Sequence, residues 1–198
     1  MNANSSLLRR DPLWRPYRRM DLQRLPLVWQ SWLDETGSLT QRLRGEYGDI
    51  TVEVLQQGWR RAFASERRFL PGPDRQRLWV REVVLSAQHR PLIVARTVIP
   101  AMTIRNTQHR LLRLGNRPLG DVMFRAPSLT RAARQWTTVP VHVWRTGVQG
   151  TWKTPVYGRR TLYRMAGQPL LVSEFFLPAL AQGFAQSGDF NAARAHRR

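Results

Sequence analysis

The middle of the chain contains Leu78-Trp79-Val80-Arg81-Glu82-Val83-Val84-Leu85 and then Leu92-Ile93-Val94-Ala95-Arg96-Thr97-Val98-Ile99. Both runs are rich in β-branched and other apolar residues, which favours β-strands. The connection from Ser86 to Pro91 is short enough for a hairpin, and we place its turn at Gln88-His89. The two runs therefore predict an adjacent, antiparallel pair of strands.

Further elements are indicated on both sides of this hairpin. Before it, alternation over 50–54 predicts a strand, and the apolar spacing over 26–33 predicts a helix. Ser38 and Gln41 have the spacing of a capping box and predict a second helix. After it, we expect helices over 107–114 and from Pro118, and strands over 136–144, 157–165 and 170–177. This order predicts an α+β domain, a single antiparallel sheet with helices packed on one side.

The length of 198 residues favours one domain. We assign the domain to residues 21–180, with an insert at about 137–155 that we expect to form an extra hairpin. Residues 1–20 are interpreted as a basic, flexible N-terminal extension, and residues 181–198 as a flexible tail. A mitochondrial presequence is a competing interpretation of the arginine-rich stretch 5–19. No apolar run is long enough for a membrane span.

The composition limits the function classes. The net charge of +19 is typical of nucleic-acid binders. However, Lys153 is the only lysine and the arginines are dispersed along the chain, so we expect a solvated basic surface and no specific nucleic-acid partner. The absence of cysteine excludes disulfides and thiolate chemistry. The four histidines show no metal-ligand spacing, and we expect no metal.

Two charged residues lie on strand faces that are otherwise apolar. Arg81 and Glu174 each alternate with apolar neighbours, and a desolvated ion without a partner costs several kcal/mol on the order-of-magnitude level. They could pair with each other, or with Glu82 and Arg159, as structural bridges. Alternatively, they could form a ligand site, because perturbed ions mark such sites.

A turn at Gln88-His89 places Arg96 across from Arg81 on the same face of the hairpin. Two adjacent guanidinium groups repel each other unless an anion lies between them, and a small dicarboxylate would satisfy that geometry. A slip of one residue in the register would move Arg96 to the opposite face.

Six blocks of the chain form a recognisable series. They are Leu78 to Leu85, Ala95-Arg96-Thr97-Val98-Ile99-Pro100, Leu114-Gly115-Asn116-Arg117-Pro118-Leu119-Gly120, Ser128-Leu129-Thr130-Arg131, Tyr157-Gly158-Arg159-Arg160, and Gly167 to Pro178. In order and mostly in spacing, these blocks resemble the chorismate pyruvate-lyase family, and the resemblance covers about Leu22 to Pro178. One departure is Ala95, where the family can have glycine.

The resemblance implies roles for five residues around an internal ligand pocket. Arg81 would hold the ring carboxylate, and Glu174 would meet the ring hydroxyl as a catalytic or binding group. Arg96 would face the pyruvyl side. Leu119 and Leu39 would contact the ligand, although without the resemblance both are ordinary core residues.

The implied activity is a lyase reaction that converts chorismate into 4-hydroxybenzoate and pyruvate without a cofactor, on the route to ubiquinone. The absence of cysteine fits a reducing cytoplasm, and we expect a cytoplasmic monomer. The alternative is a non-catalytic module that binds a small ligand, similar to the effector domain of bacterial transcription regulators. Such regulators carry an N-terminal winged helix, for which the first 50 residues are too short and too rich in proline.

Overall fold

The computed structural model describes residues 5, 7–73, 75–107, 111–145 and 153–182. The strands are β1 Arg15–Pro16, β2 Thr51–Trp59, β3 Leu78–Ala87, β4 Arg90–Pro100, β5 Thr130–Val139, β6 Val156–Met165 and β7 Gln168–Phe176. The helices are α1 Arg19–Leu22, α2 Leu27–Asp34, α3 Leu39–Tyr47, α4 Ala64–Phe69, α5 Ala101–Asn106 and α6 Leu119–Met123, and a 3-10 turn spans Val141–Val143.

The strands form one seven-stranded sheet in the order β1-β5-β6-β7-β4-β3-β2. Every neighbouring pair is antiparallel. The predicted α+β fold with a single antiparallel sheet is therefore confirmed. Its central strands, β7 and β4, are paired on both sides and carry the most continuous apolar sequences.

The β3–β4 hairpin turns at Gln88-His89, as predicted, and both residues adopt a positive φ. Ala87 pairs with Arg90 and Ser86 with Pro91, but the next pair is Leu85 with Ile93. One residue of β4 is therefore unpaired, which is a β-bulge. Beyond the bulge the register is shifted by one residue, and every side chain of β4 changes face relative to the sequence-based pairing.

One face of the sheet is covered by helices α2, α3, α5 and α6. Trp32 and Leu33 of α2 and Leu43 of α3 pack in one apolar cluster with strand residues. Ile104 of α5 and Met123 of α6 pack in a second cluster beside it. This confirms the predicted helical layer, and the short helix α4 lies on the other side of the sheet.

The opposite face is covered by α4 and by residues close to the N-terminus. Leu7 and Leu8 are fully buried in a cluster with Trp144 and Phe175. Leu8 forms a β-bridge with Trp144, and β1 extends the sheet edge. Leu7 and Leu8 lie in the predicted extension 1–20, and these apolar side chains bury a sheet face that would otherwise meet water. The flexibility of the extension stays a prediction.

Other predicted elements differ in position. Ser38 caps α3 as predicted, with its side chain accepting from the Gln41 N–H. The helix expected over 107–114 forms earlier, as α5, and ends where the Thr107 hydroxyl donates to the Thr103 carbonyl. In the region of the expected insert, 141–143 form a 3-10 turn and not a strand. The remainder of the expected hairpin, 146–152, and the tail from 183 lie outside the described residues. Among the residues that the structure describes, no helix is long and apolar enough to cross a membrane.

Candidate active site

A cavity lies between the helical layer and the sheet. It holds about 650 Å³ of space, including its opening to solvent. Its polar side chains are Arg81, Glu174, Thr97, Thr40 and Tyr163, and the remaining lining residues are apolar or glycine. A mostly apolar cavity with a few convergent polar groups is the usual form of a small-molecule site.

The outer wall of the cavity is built from the first turns of α3 and α6. A Cβ atom at Gly120 would lie 3.2 Å from both Ser38 Oγ and Thr40 Oγ1, so glycine permits the two helices to approach. Arg44 and Asp121 then join them through two hydrogen bonds of 2.9 Å. This packing places the beginnings of both helices over the sheet.

Leu39 and Leu119 are the first residues of these two helices, and both line the cavity. The two positions therefore present apolar side chains to the cavity. The structure brings both sequence-predicted leucines to the cavity.

Arg81 enters the cavity from β3 and is 3% exposed. Its Nη2 donates to the carbonyl oxygens of Gly115 and Arg117 at 2.8 and 3.2 Å. Its Nε is buried and has no hydrogen-bond partner, and no carboxylate among the described residues pairs with it. Burial lowers the pKa of Arg81, because desolvation disfavours the charged form. A buried cation with an unused donor is suited to an anionic ligand.

Glu174 lines the same cavity from β7. Its Oε2 accepts a hydrogen bond of 2.8 Å from Arg159 Nε, which is the structural bridge that the sequence offered as one alternative. Arg159 is itself held by the main-chain carbonyls of Trp32 and Leu33. Within the described residues Oε1 has no hydrogen-bond partner, so Glu174 is positioned by Arg159 and still has an acceptor for a ligand.

Arg96 does not line the cavity, and its predicted position across from Arg81 is wrong. It pairs with Glu82 in the strand register, and its side chain lies on the opposite face of the sheet. Arg96 Nε lies 2.7 Å from Glu66 Oε1, and Nη1 lies 2.6 Å from Glu82 Oε1. Burial lowers the pKa of Arg96, but the two carboxylates outweigh this effect and the net pKa is raised. The cause of the displacement is the β-bulge, which shifts the register by one residue.

Two cavity residues on the strands, Thr97 and Tyr163, were missed by sequence reasoning. Thr97 takes the place across from Arg81 that was expected for Arg96. Tyr163 lies on the same face of β6 as Arg159, so the alternation of side chains along this strand could have placed Tyr163 beside the predicted site. Burial raises the pKa of Tyr163 and the charge of Glu174 raises it further, whereas Arg159 and Arg131 lower it.

The family model for chorismate lyase matches residues 8–187, which is most of the chain. The chain belongs to the chorismate lyase family. The match begins at Leu8, in the segment that the structure packs against the sheet.

Relatives in this family are similar over most of their length. A protein of Methylococcus capsulatus named "Probable chorismate pyruvate-lyase" is 43% identical over 154 residues, which are 76% of this chain and 95% of that protein. The chorismate pyruvate-lyase of Pectobacterium carotovorum is 38% identical and covers 78% of this chain and 79% of its own. The one of Hamiltonella defensa is 36% identical, over 84% and 85% of the two chains.

A solved structure shares the fold. The ligand-binding domain of a protein from Bordetella bronchiseptica, described as a GntR-family transcriptional regulator, aligns with a TM-score of 0.50 and 18% identity. The alignment covers 66% of this chain and 86% of that domain. At this identity the likeness concerns the fold alone, so it does not favour a regulatory module over a member of the lyase family.

Proposed function

We propose that this protein is a chorismate pyruvate-lyase, a carbon–oxygen lyase that converts chorismate into 4-hydroxybenzoate and pyruvate. The observation that carries the proposal is the pair Arg81 and Glu174, which meet in one apolar cavity of a chain that belongs to the chorismate lyase family. We further propose that the protein acts as a cytoplasmic monomer in the route to ubiquinone.

The reaction breaks the ether bond between the ring and the enolpyruvyl group. The ring also loses the hydrogen on the carbon that bears the hydroxyl group, and it becomes aromatic. The departing enolpyruvate gains a hydrogen and becomes pyruvate, so atoms balance and no electrons are exchanged with another molecule. The protein has to orient the ring, exclude water and direct one proton.

Arg81 is proposed to bind the ring carboxylate. Its buried Nε donor has no protein partner, and a carboxylate accepts best from the planar fork of a guanidinium group. The carbonyls of Gly115 and Arg117 fix the side chain from behind, so the donor is oriented before the ligand arrives. Binding a carboxylate would also compensate a charge that is otherwise desolvated without a counter-ion.

Leu39 and Leu119 are proposed to close over the ring. Their side chains supply apolar contact from the helical wall of the cavity. The ring would therefore be held between the helix ends and the sheet.

Glu174 is proposed to bind the ring hydroxyl through Oε1 and to take part in the proton transfer. Arg159 holds the other carboxylate oxygen, which fixes the direction of Oε1. Because both groups are largely buried, the fixed charges act without the screening of bulk water.

The proposal is tested by incubating the purified protein with chorismate in the presence of a chelator. We expect 4-hydroxybenzoate and pyruvate in equal amounts. Glu174→Gln keeps the shape of the side chain, and we expect it to lower kcat by roughly two to four powers of ten, as for loss of a proton-transfer group. The exposed Glu53→Gln is the matched control and should retain full activity.

Two results would contradict parts of this proposal. Folded wild-type protein that does not turn over chorismate would exclude the lyase assignment. Near-normal turnover of Glu174→Gln, with altered affinity for 4-hydroxybenzoate, would restrict Glu174 to binding the hydroxyl group.

A further inference from the structure

The proposed substrate carries two carboxylates, but the described lining of the cavity contains one arginine without an ionic partner. That residue is Arg81. Arg159, which lies next to Glu174, is committed to that carboxylate and to main-chain carbonyls. Arg96, the residue expected on the pyruvyl side, lies behind the sheet. The second carboxylate therefore needs a different cation.

Arg131 is a cation that contacts two residues of the cavity lining, Phe124 and Tyr163, without being part of that lining itself. It is directly opposite Tyr163 in the register between β5 and β6, so the two side chains share the cavity face of the sheet. Its guanidinium carbon lies 6.0 Å from the Tyr163 ring centre and 5.9 Å from that of Phe124. Both rings line the cavity. They orient the guanidinium group at the cavity edge through cation–π contacts.

Arg131 has no ionic partner among the residues that the structure describes, although its side chain is exposed. Arg44 on α3, by contrast, is bound to Asp121. The residue belongs to the block Ser128-Leu129-Thr130-Arg131, to which the family resemblance assigned no role. An unpaired guanidinium that is oriented beside a site is suited to an anionic part of the ligand.

We propose that Arg131 binds the enolpyruvyl carboxylate of chorismate at the mouth of the cavity, an assignment that rests on the proposed lyase function. The ring carboxylate is then held at Arg81 inside, and the substrate is oriented by two guanidinium groups. The enolpyruvyl group faces the solvent side, so pyruvate can leave while 4-hydroxybenzoate still occupies the interior.

The proposal predicts different effects on the binding of the substrate and on the binding of the product. 4-Hydroxybenzoate has the ring carboxylate but no enolpyruvyl carboxylate, so Arg131 makes no contact with it. Arg131→Gln should therefore weaken the binding of chorismate and leave the binding of 4-hydroxybenzoate unaffected. We expect kcat/KM for chorismate to fall roughly tenfold, which is typical for loss of one charge-assisted contact at an accessible position. The dissociation constant of 4-hydroxybenzoate should change by less than about twofold.

Arg164→Gln is the matched control. Arg164 follows Tyr163 on β6, is exposed, and points to the opposite face of the sheet, so its removal takes away the same charge close to the same place. The control should keep wild-type kcat/KM, and Arg131→Lys should recover part of the loss. Titration with 4-hydroxybenzoate shows that each variant is folded with an intact interior.

The inference is overturned if wild type is active and Arg131→Gln matches it in kcat/KM. It is also overturned if Arg131→Gln and Arg164→Gln lower kcat/KM equally, since this would indicate general attraction by the basic surface. A parallel loss of 4-hydroxybenzoate affinity would assign Arg131 to the interior architecture instead. An inactive wild type would contradict the lyase function itself, and this outcome is distinguishable because no variant is needed to observe it.

Discussion

Arg81 combines two features that are rarely found together, deep burial and a donor without a partner. Its two hydrogen bonds go to neutral carbonyl oxygens of Gly115 and Arg117, which orient the guanidinium group but do not neutralise it. The desolvation that lowers its pKa is therefore not compensated by a nearby protein anion in the described residues. A ligand carboxylate at Nε would supply this compensation, which explains why the free protein retains an unpaired cation here.

Substitution of Arg81 should affect product binding much more than stability. Arg81→Lys removes the planar guanidinium group and should weaken the binding of 4-hydroxybenzoate. Arg81→Met should lower the affinity for 4-hydroxybenzoate by roughly a hundredfold if the contact contributes ~3 kcal/mol. The unfolding free energy of the ligand-free protein should change by less than ~2 kcal/mol, because losing two hydrogen bonds is offset by removing a desolvated charge. Calorimetric titration and urea unfolding measure both quantities. Unchanged product affinity with a large loss of stability would make Arg81 a structural ion.

At the level of elements, the β3–β4 hairpin shows what the sequence could and could not specify. Apolar and β-branched runs predicted both strands and their turn at Gln88-His89, because these features are local. The bulge between Leu85 and Ser86 was not predicted, although Pro91 pairs with Ser86 beside it and proline within a sheet is often found at a bulge. Because of this one unpaired residue, Arg96 faces away from the cavity and Thr97 lines it. Strand periodicity alone was sufficient for Arg81 and Glu174, which do not depend on the register.

The buried cluster formed by Arg96, Glu66 and Glu82 ties the hairpin to α4. Arg96 makes hydrogen bonds of 2.7 and 3.1 Å with Glu66 and one of 2.6 Å with Glu82. Glu66 also accepts from the Phe63 N–H at 2.7 Å, and so holds the beginning of α4. The cluster is almost completely shielded from solvent, so its members depend on each other for charge compensation.

Arg96→Met should therefore have the opposite effects to Arg81→Met, with a large loss of stability and little change in product affinity. Removal of the cation takes away a buried partner of both Glu66 and Glu82, and we expect a loss of roughly 3–5 kcal/mol in unfolding free energy. The affinity of the folded fraction for 4-hydroxybenzoate should stay close to that of wild type, because Arg96 is on the far face. Urea unfolding and titration at low temperature give both values. A stable variant with weakened ligand binding would instead support the role in the cavity that the family resemblance implied.

At the level of the whole molecule, the two faces of the sheet are covered in different ways. Helices α2, α3, α5 and α6 cover one face, and α3 and α6 form the helical wall of the cavity. The other face depends largely on α4 and on chain close to the N-terminus. Ser5 Oγ donates to Glu82 at 2.6 Å, and Arg9 N donates to the Val143 carbonyl at 2.8 Å. The packing of this N-terminal segment on the sheet was not predicted from the sequence, because the apolar pair Leu7-Leu8 is followed by a strongly basic stretch that is typical of solvated tails.

This architecture predicts that the N-terminal segment stabilises the fold without contributing to the cavity. Leu8 is 1% exposed, and Leu8→Ala should lower the unfolding free energy by roughly 2–5 kcal/mol, as for other buried leucines. Leu13 is 87% exposed in the same segment, so Leu13→Ala is the matched control and should have the stability of wild type. Both folded variants should bind 4-hydroxybenzoate normally, because Leu8 packs on the face opposite the cavity. Equal stability of the two variants in urea unfolding would mean that the segment does not cover the sheet in solution, and it would support the flexible extension that the sequence alone predicted.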